Sequence, residues 1–524
     1  MASKYPLVLN GTQIEELQAG DHLPSSLITF NNGLSGGVTR QLVLKLNDKI
    51  SVKDFGVIGD GTTDDTTALQ AALTYAITNN IRLLFPAGSY KITNNITITF
   101  PSTTSILEIE GDGSVLSKII SPSGNGIILN FISMFNAVRV KGLSVVGGAA
   151  NTGTAFLITQ TVNITNPADC TLSIFDDVSI YGSSSSNFFQ TAISINGASC
   201  FNFKSVSIYG NTSGGYAGLN CGYGIVFQGL GSGYPIPVQF NIESCILNFL
   251  TVGVYYGNYV QGVQISLTNF TGCNWGILSP VSATNTNQLS VIGNQFNCTS
   301  RAILIQSLLV NVMIANNAIF VQDNVIGIDV TYASGLVMLG NAFNYEGTGA
   351  STNGIAVQST YNGSITPNNN SSVITGNSFY GLSTGVWIWA GCTGLRCFGN
   401  SFSQISVSNV YDQGVRSILG KPLGLTSVNS GTNTTATASV SFTPPTTGTL
   451  KVIGIVNYQD LGTTAYNSTL TVAGAVVQQL ASKMSTTHTW DTQVSAGTAI
   501  TSTIAGQSSW AFTVEISMLF TPDI

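Results

Sequence analysis

Apolar residues along this chain follow two rhythms. Near residue 70 they recur at helical spacing, with Ala68, Leu69, Ala72, Leu73, Ala76 and Ile77 on one face. A helix is therefore expected over about 63–79, with Thr63 as its N-cap and Asp64 and Asp65 favouring the first turn. Elsewhere the alternation has period two, the mark of strands with one buried face. RLLFPAGSYKI (82–92) reads as a strand interrupted by Pro86 and Gly88. From about 100 to 410 short strands repeat, most clearly as IGNQF (292–296), IANNAIF (314–320), LGNAF (339–343), TGNSF (375–379) and FGNSF (398–402). Their asparagines, Asn294, Asn317, Asn341, Asn377 and Asn400, lie 23, 24, 36 and 23 residues apart, and the longer step reads as a 12-residue surface loop within 345–371. Looser copies precede them: VKGLSVVGG (140–148), FDDVSIYG (175–182), FKSVSIYG (203–210) and IESCILN (242–248). A second alternating motif follows the later copies, as in AILIQ (302–306), GIDVT (327–331) and GVWIW (385–389).

A period near 23 residues, with two or three short strands and Asn or Gly turns in each copy, predicts a parallel β-solenoid. No copy buries its apolar face alone, so stacking makes the core and a helix can close the open end. The predicted fold class is all-β: a parallel β-helix over 51–415 with its capping helix, a linker over 416–426, and a C-terminal antiparallel β-sandwich over 427–524. Residues 1–50 are polar and irregular, with one short strand expected at Leu42, Val43 and Leu44, and read as an attachment segment.

Composition narrows the function. Only 8% of residues are charged, the net charge is −6, and the 17 Lys and Arg are scattered, which argues against nucleic acid as partner. No apolar run approaches the ~18 residues that span a bilayer, so no membrane association is expected. The N-terminus lacks the charged and apolar regions of a signal peptide, and synthesis in a cytoplasm is expected. None of the eight cysteines forms a CxxC pair, so they are read as buried reduced thiols, and no metal or cofactor is expected.

Two segments carry a family resemblance. SVKDFGVIGDGTTDDTTALQAAL (51–73) followed by LLFPAGSYKI resembles the opening of pectate-lyase-like β-helix proteins, bacteriophage tailspikes above all, and PLVLNGTQIEELQAGD (6–21) is similar to the attachment segment of phage tail fibres and spikes. The resemblance implies a right-handed β-helix and a homotrimer carried on the virion, joined to a phage tail or another tail protein through residues 1–50. It also implies a partner glycan on the bacterial surface: capsule, O-antigen or exopolysaccharide. The aspartates of DFGVIGDGTTDD are structural in that family. The polygalacturonase site is absent, because it needs a Gly-His-Gly, and the two histidines, His22 and His488, lie outside the solenoid.

Glycoside hydrolysis usually needs two carboxylates. Between 131 and 410 the acids are Asp169, Asp176, Asp177, Glu243, Asp323, Asp329 and Glu346. Asp323 and Glu346 follow the Asn-x-Phe turns of consecutive copies, and Asp329 alternates with Ile328 and Val330 and so should face outward. These three are the expected catalytic residues, with Arg301 and Tyr345 beside them and Gln306, Gln358, Trp387 and Trp389 extending the same outward column as a glycan track. The bland reading of each acid is solvated surface, and outward Trp also suits contact with another chain. A second group, Asp176, Asp177 and Glu243, is the alternative; alignment puts Lys141, Asp176, Lys204 and Glu243 in one column, which reads as a charge ladder. A glycine-rich insert at 211–237 with Tyr216, Tyr223 and Tyr234, and Tyr255, Tyr256 and Tyr259 beyond it, marks a second candidate groove.

The favoured activity is endo-glycosidic hydrolysis of a polysaccharide. A lyase using Lys204, Arg301 or Arg396, and a receptor-binding fibre that cuts nothing, are the alternatives. The C-terminal 100 residues are read as trimerising, sugar-binding, or both, and His488, Trp490 and Asp491 as structural.

Overall fold

A computed structural model describes residues 49–412, apart from 122, 151, 161–169, 214–221, 282, 285, 332, 346–352, 358–359, 362–363, 366–371, 390–391 and 393–394, together with shorter segments between 7 and 45 and between 418 and 522. Each coil of the central region contributes a first strand, a sharp corner, a second strand and, across a turn, a third. Leu309–Ala315, Ala318–Val321 and Ile326–Val330 form one coil; Ala333–Leu339, Ala342–Tyr345 and Asn353–Val357 form the next. Equivalent strands of neighbouring coils pair in parallel. First and second strands merge into a sheet of 25 strands, and third strands form one of 12. The chain is a right-handed parallel β-helix, the hand that parallel crossovers favour.

The period-two pattern explains the core. Alternate residues of each strand, such as Val312, Ile314, Ile319, Ile328 and Val330, are at most 1% exposed and form one continuous cluster. Identical positions stack: the Phe270 and Phe296 rings lie 4.6 Å apart, Phe343 and Phe379 4.8 Å, and Phe379 and Phe402 5.1 Å, which is the spacing of adjacent strands. From Gly142 onward the corners turn on a residue of positive φ, among them Gly142, Asp177, Ser205, Ser244, Leu267, Gly293, Asn316 and Gly340. The residue after it points inward, and from Asn294 onward that residue is the repeated asparagine.

The helix runs Thr66–Asn79 and buries Leu69, Ala72, Leu73, Ala76 and Ile77 against the strands Leu83–Phe85 and Ile96–Thr99 of one coil and Ile106–Gly111 of the next. It starts three residues later than expected, and Thr63 is not its cap. Asp60–Asp64 is a strand, in which Asp60 accepts the backbone N–H groups of Thr63 and Thr62 and the Thr63 hydroxyl; these hydrogen bonds hold its carboxyl well below the ordinary range. Asp64 accepts the Thr66 hydroxyl and N–H and is lowered to about 2 by them and by Thr93. Asp65 is the cap residue, but its carboxylate turns away to Ile58 N–H (2.7 Å) and Gly59 N–H (2.9 Å). All three aspartates are thus occupied in turns, as the resemblance implied.

Other departures are local. Stacking continues past 415, since Ile418–Leu419 pairs with the strand Arg396–Phe398. Beyond it, Gly424–Gly431, Phe512–Pro522, Gly448–Tyr458 and Thr486–Val494 form one four-stranded antiparallel sheet, and Thr435–Phe442, Ile500–Gln507, Tyr466–Val472 and Ala475–Ser482 another. At the N-terminus Leu7–Asn10 pairs with Gln13–Glu16, and Thr29–Phe30 with Arg40–Gln41; the short strand thus precedes Leu42, while Val43 and Leu44 lie outside the described residues. The reading of the cysteines as reduced fails for one pair, because Cys170 and Cys200 form a disulfide. Cys245, Cys273, Cys298, Cys392 and Cys397 are buried free thiols, and burial pushes the Cys273 thiol up to about 12.

Candidate active site

Three successive coils bring the favoured residues to one edge, where second strands pass into third strands. Arg301 opens the third strand Arg301–Ile305. Asp323 lies in the turn that leads to Ile326–Val330 one coil on, and Tyr345 ends the second strand of the coil after that, in register with Val321. Asp323 is exposed and its carboxylate accepts the Tyr345 hydroxyl. Arg301 Nε donates to Asp329 Oδ2 at 2.9 Å. Glu346, Gln358 and Tyr216 lie outside the described residues.

Asp329 points away from the core that holds Ile328 and Val330, as alternation demands, but it is not solvent-facing. It is 3% exposed, between its register partners Leu304 and Ala356, which are 5% and 0% exposed. A carboxylate so covered needs a charged partner, and Arg301 is that partner, its own side chain still 30% exposed. Asp329 therefore fixes the guanidinium at the edge, and Asp323 is the exposed carboxylate of this edge among the described residues.

The expected single outward column is two. Register aligns Leu304, Asp329, Ala356, Trp387 and Tyr411. Gln306 and Trp389 each follow by two residues, so they belong to a parallel column about 7 Å along the strand. The two columns meet at the far end, where Trp387 and Trp389 stack at 5.0 Å and Tyr411 meets Trp387 edge-on at 5.6 Å.

The alternative acids divide. Lys141, Asp176, Lys204 and Glu243 do align, with Glu110 one coil earlier, and no ion pair joins neighbours of this column among the described residues. Asp177 is the corner residue and gives its oxygens to Ser114, 2.7 Å from the hydroxyl and 3.3 Å from the N–H. Tyr223, Tyr234, Tyr255 and Tyr259 retain exposure, but Tyr256 belongs to the core. It is 0% exposed, and its hydroxyl donates to the Val260 and Asn287 carbonyls.

Sequence reading missed a further feature. The outer position next to the stacked phenylalanines carries, coil by coil, Asn248, Thr271, Asn297, Phe320, Asn344 and Tyr380 in continuous register. This column of amides, hydroxyl and aromatic rings runs along the axis beside the Asp323 edge; Gln322, next to Asp323, donates to Asn297 at 2.9 Å. The signal was present in the residue after each Asn-x-Phe, which is Asn297, Asn344 and Tyr380 in the clearest copies.

Comparison with known proteins follows the same outline. A family model described as rhamnogalacturonase A/epimerase, pectate lyase-like, matches residues 49–278. The tail spike protein of an Escherichia phage is 45% identical over 51 residues, a stretch that is 10% of this chain and only 6% of that protein. Among solved structures, the A-module of the Azotobacter vinelandii mannuronan C-5 epimerase aligns at 14% identity over 71% of this chain and 99% of its own, with a TM-score of 0.44. A mutant tailspike protein of E. coli bacteriophage HK620 aligns at 11% identity over 92% and 97%, also at 0.44. The surface adhesin PfbA of Streptococcus pneumoniae aligns at 15% identity over 69% and 93%, at 0.42.

Proposed function

We propose, starting from the match of residues 49–278 to a pectate-lyase-like family model, that this chain is a phage tailspike that binds and depolymerises a bacterial surface polysaccharide. In this reading residues 1–50 join it to the phage tail and it works as a homotrimer. The observation that carries the proposal is the axial column from Asn248 to Tyr380 passing beside an exposed carboxylate. A polysaccharide presents hydroxyls and flat ring faces at regular intervals; amides and hydroxyls stacked at strand spacing bond the former, and Phe320 and Tyr380 cover the latter.

Asp323 is the catalytic acid or base, its proton shared with the Tyr345 hydroxyl that it already accepts. Arg301, fixed by Asp329, is a positioning residue for substrate oxygens. Glu346, adjacent to Tyr345 in sequence, is the partner carboxylate that hydrolysis requires within about 5–10 Å. The Tyr345–Asp323 contact supports a second reading, in which the phenol serves as base in β-elimination from a uronate.

The test is incubation with a panel of capsules, O-antigens and exopolysaccharides, with fragments sized and weighed. Hydrolysis adds one water per cut, whereas elimination leaves an unsaturated, ultraviolet-absorbing uronate. Asp323→Asn should slow cutting at least about 100-fold while the polymer still binds. Cutting at the parent rate would remove Asp323 from the chemistry, and a polymer bound but never shortened would leave a receptor-binding fibre.

A further inference from the structure

A concavity lies several coils from Asp323, on the side that carries the polar column. It encloses about 510 Å³ between Ser114 and Val115 on one wall and Tyr181, Tyr209 and the backbone after each on the other. Its floor is a register column: Lys118 aligns with Ser144, Ser144 with Ser179, and Ser179 with Ser207. The near wall is held in place. The buried Ser144 hydroxyl donates to the Ser114 carbonyl, and both Asp177 oxygens engage Ser114. The groove therefore needs no rearrangement to receive a ligand.

Its chemistry is selective. Serine and threonine hydroxyls and two phenols line it, and among the described residues Lys118 is its only charged group, with neither carboxylate nor guanidinium in the lining. Lys118 makes no ion pair among the described residues, although the chain as a whole carries a net charge of −6. The nearby Asp177 is committed to Ser114.

We infer that this groove is a subsite for an acidic sugar residue of the polymer, whose carboxylate faces the Lys118 ammonium while its hydroxyls meet Ser179, Ser207 and the two phenols. The inference rests on the reading of the chain as a polysaccharide-binding tailspike and adds that the polymer is anionic. The two sites lie on one path. Ile180 aligns with Ile208, so Tyr181 and Tyr209 follow one coil apart; Tyr209 aligns with Asn248, and the same column continues through Thr271 and Asn297 to Phe320. Seven coil steps separate the coil of Lys118 from that of Asp323, about 34 Å, a length that several sugar rings cover. One extended chain thus reaches Lys118 and Asp323 together, and the groove adds affinity for long substrates without touching the reacting bond.

The experiment uses the full chain and the panel above, pairing each acidic polysaccharide with its carboxyl-reduced counterpart. Calorimetry should give about three- to tenfold tighter binding of the acidic form at low salt, shrinking as salt rises. Lys118→Ala should abolish that preference and raise KM for long polymer with kcat unchanged; Lys118→Arg should restore it, which separates lost charge from misfolding. Lys118→Ala with the preference intact overturns the inference. Cutting of neutral polymers alone overturns it too, while leaving the tailspike reading standing. Failure to bind any glycan removes both.

Discussion

At one inward position of every corner, the coils near the helix and the coils far from it solve the same problem with opposite chemistry. In the near coils the position holds Leu143, Val178, Val206 and Cys245, all at most 1% exposed. In the far coils it holds Asn294, Asn317, Asn341, Asn377 and Asn400. There each side-chain oxygen receives the backbone N–H and the amide of the asparagine one coil earlier: Asn341 Oδ1 accepts Asn317 N at 3.1 Å and Asn317 Nδ2 at 2.8 Å, and Asn377 Oδ1 accepts both donors of Asn341 at 2.9 Å. Each amide also donates to a main-chain carbonyl of the preceding coil, as Asn341 does to Ile314 at 2.9 Å. Thr268 joins the two regimes, since its N–H donates to Asn294 and its hydroxyl accepts from Cys245 N–H. The backbone is the same in both regions. An apolar corner is filled by independent side chains, whereas the amide corner is a chain of bonds in which every member depends on its neighbours.

The largest effect should come from cutting that chain in the middle. Asn341→Leu keeps the branching of the side chain, but it strands Asn317 N–H, one Asn317 amide hydrogen and the Ile314 carbonyl in a site that is 0% exposed. At about 1–3 kcal/mol for each group left without a partner, the loss should be roughly 4 kcal/mol. It should appear as a lower midpoint in guanidinium and faster thermal inactivation. Leu143→Met, at the equivalent place in a near coil, conserves volume and should cost no more than about 1.5 kcal/mol. Equal effects at the two positions would erase the distinction between cooperative and independent corners.

The same contrast decides how much could be read from the sequence. The far coils announced themselves because the amide ladder demands an identical residue at each step and the corner before it takes Gly293, Gly340, Gly376 or Gly399, producing a visible Gly-Asn repeat. The near coils have the same corner, but Asp177, Ser205, Ser244 and Leu267 occupy it, so their copies looked loose. Alternation correctly sent Asp329 away from the core and could not show that its neighbours cover it. Arg301, Asp323 and Tyr345 were legible as a group because coil spacing alone assembles them. The Lys118 groove was not, since its walls come from residues 114–118 and 179–212, and the loop that closes it is held by Asp177, more than 60 positions from Ser114. The Cys170–Cys200 bridge was missed for a related reason: its spacing of 30 resembled the repeat period.

A middle-sized effect should follow from changing the corner seat in the far region. Gly340 has φ +67, and a Cβ there would lie 2.5 Å from Asn316 Oδ1. Left-handed backbone costs a side-chain-bearing residue about 1–2 kcal/mol, and the short Asn316 side chain can turn aside. Gly340→Ala should therefore lower stability by about 2 kcal/mol, less than breaking the ladder itself. A loss as large as that of Asn341→Leu would mean that the corner glycine, and not the amide chain, governs the far coils.

The smallest effect should carry the opposite sign. Leu267 holds the corner of the last near coil at φ +51 and is 64% exposed, so its side chain contributes little burial while its backbone bears the left-handed penalty. Leu267→Gly removes that penalty of about 1–2 kcal/mol and adds about 0.5–1 kcal/mol of unfolded-state entropy to be overcome. The net should be a gain of about 0.5 kcal/mol, visible as a rise of the guanidinium midpoint with unchanged slope. Glycine at one corner would then stabilise a near coil while alanine at the equivalent corner destabilises a far one, which is the expected pattern if both regions share a single backbone and differ only in what fills it. A fall in the midpoint instead would show that the exposed leucine is held by contacts that outweigh its backbone strain, and the corners of the two regions would have to be treated as different structures.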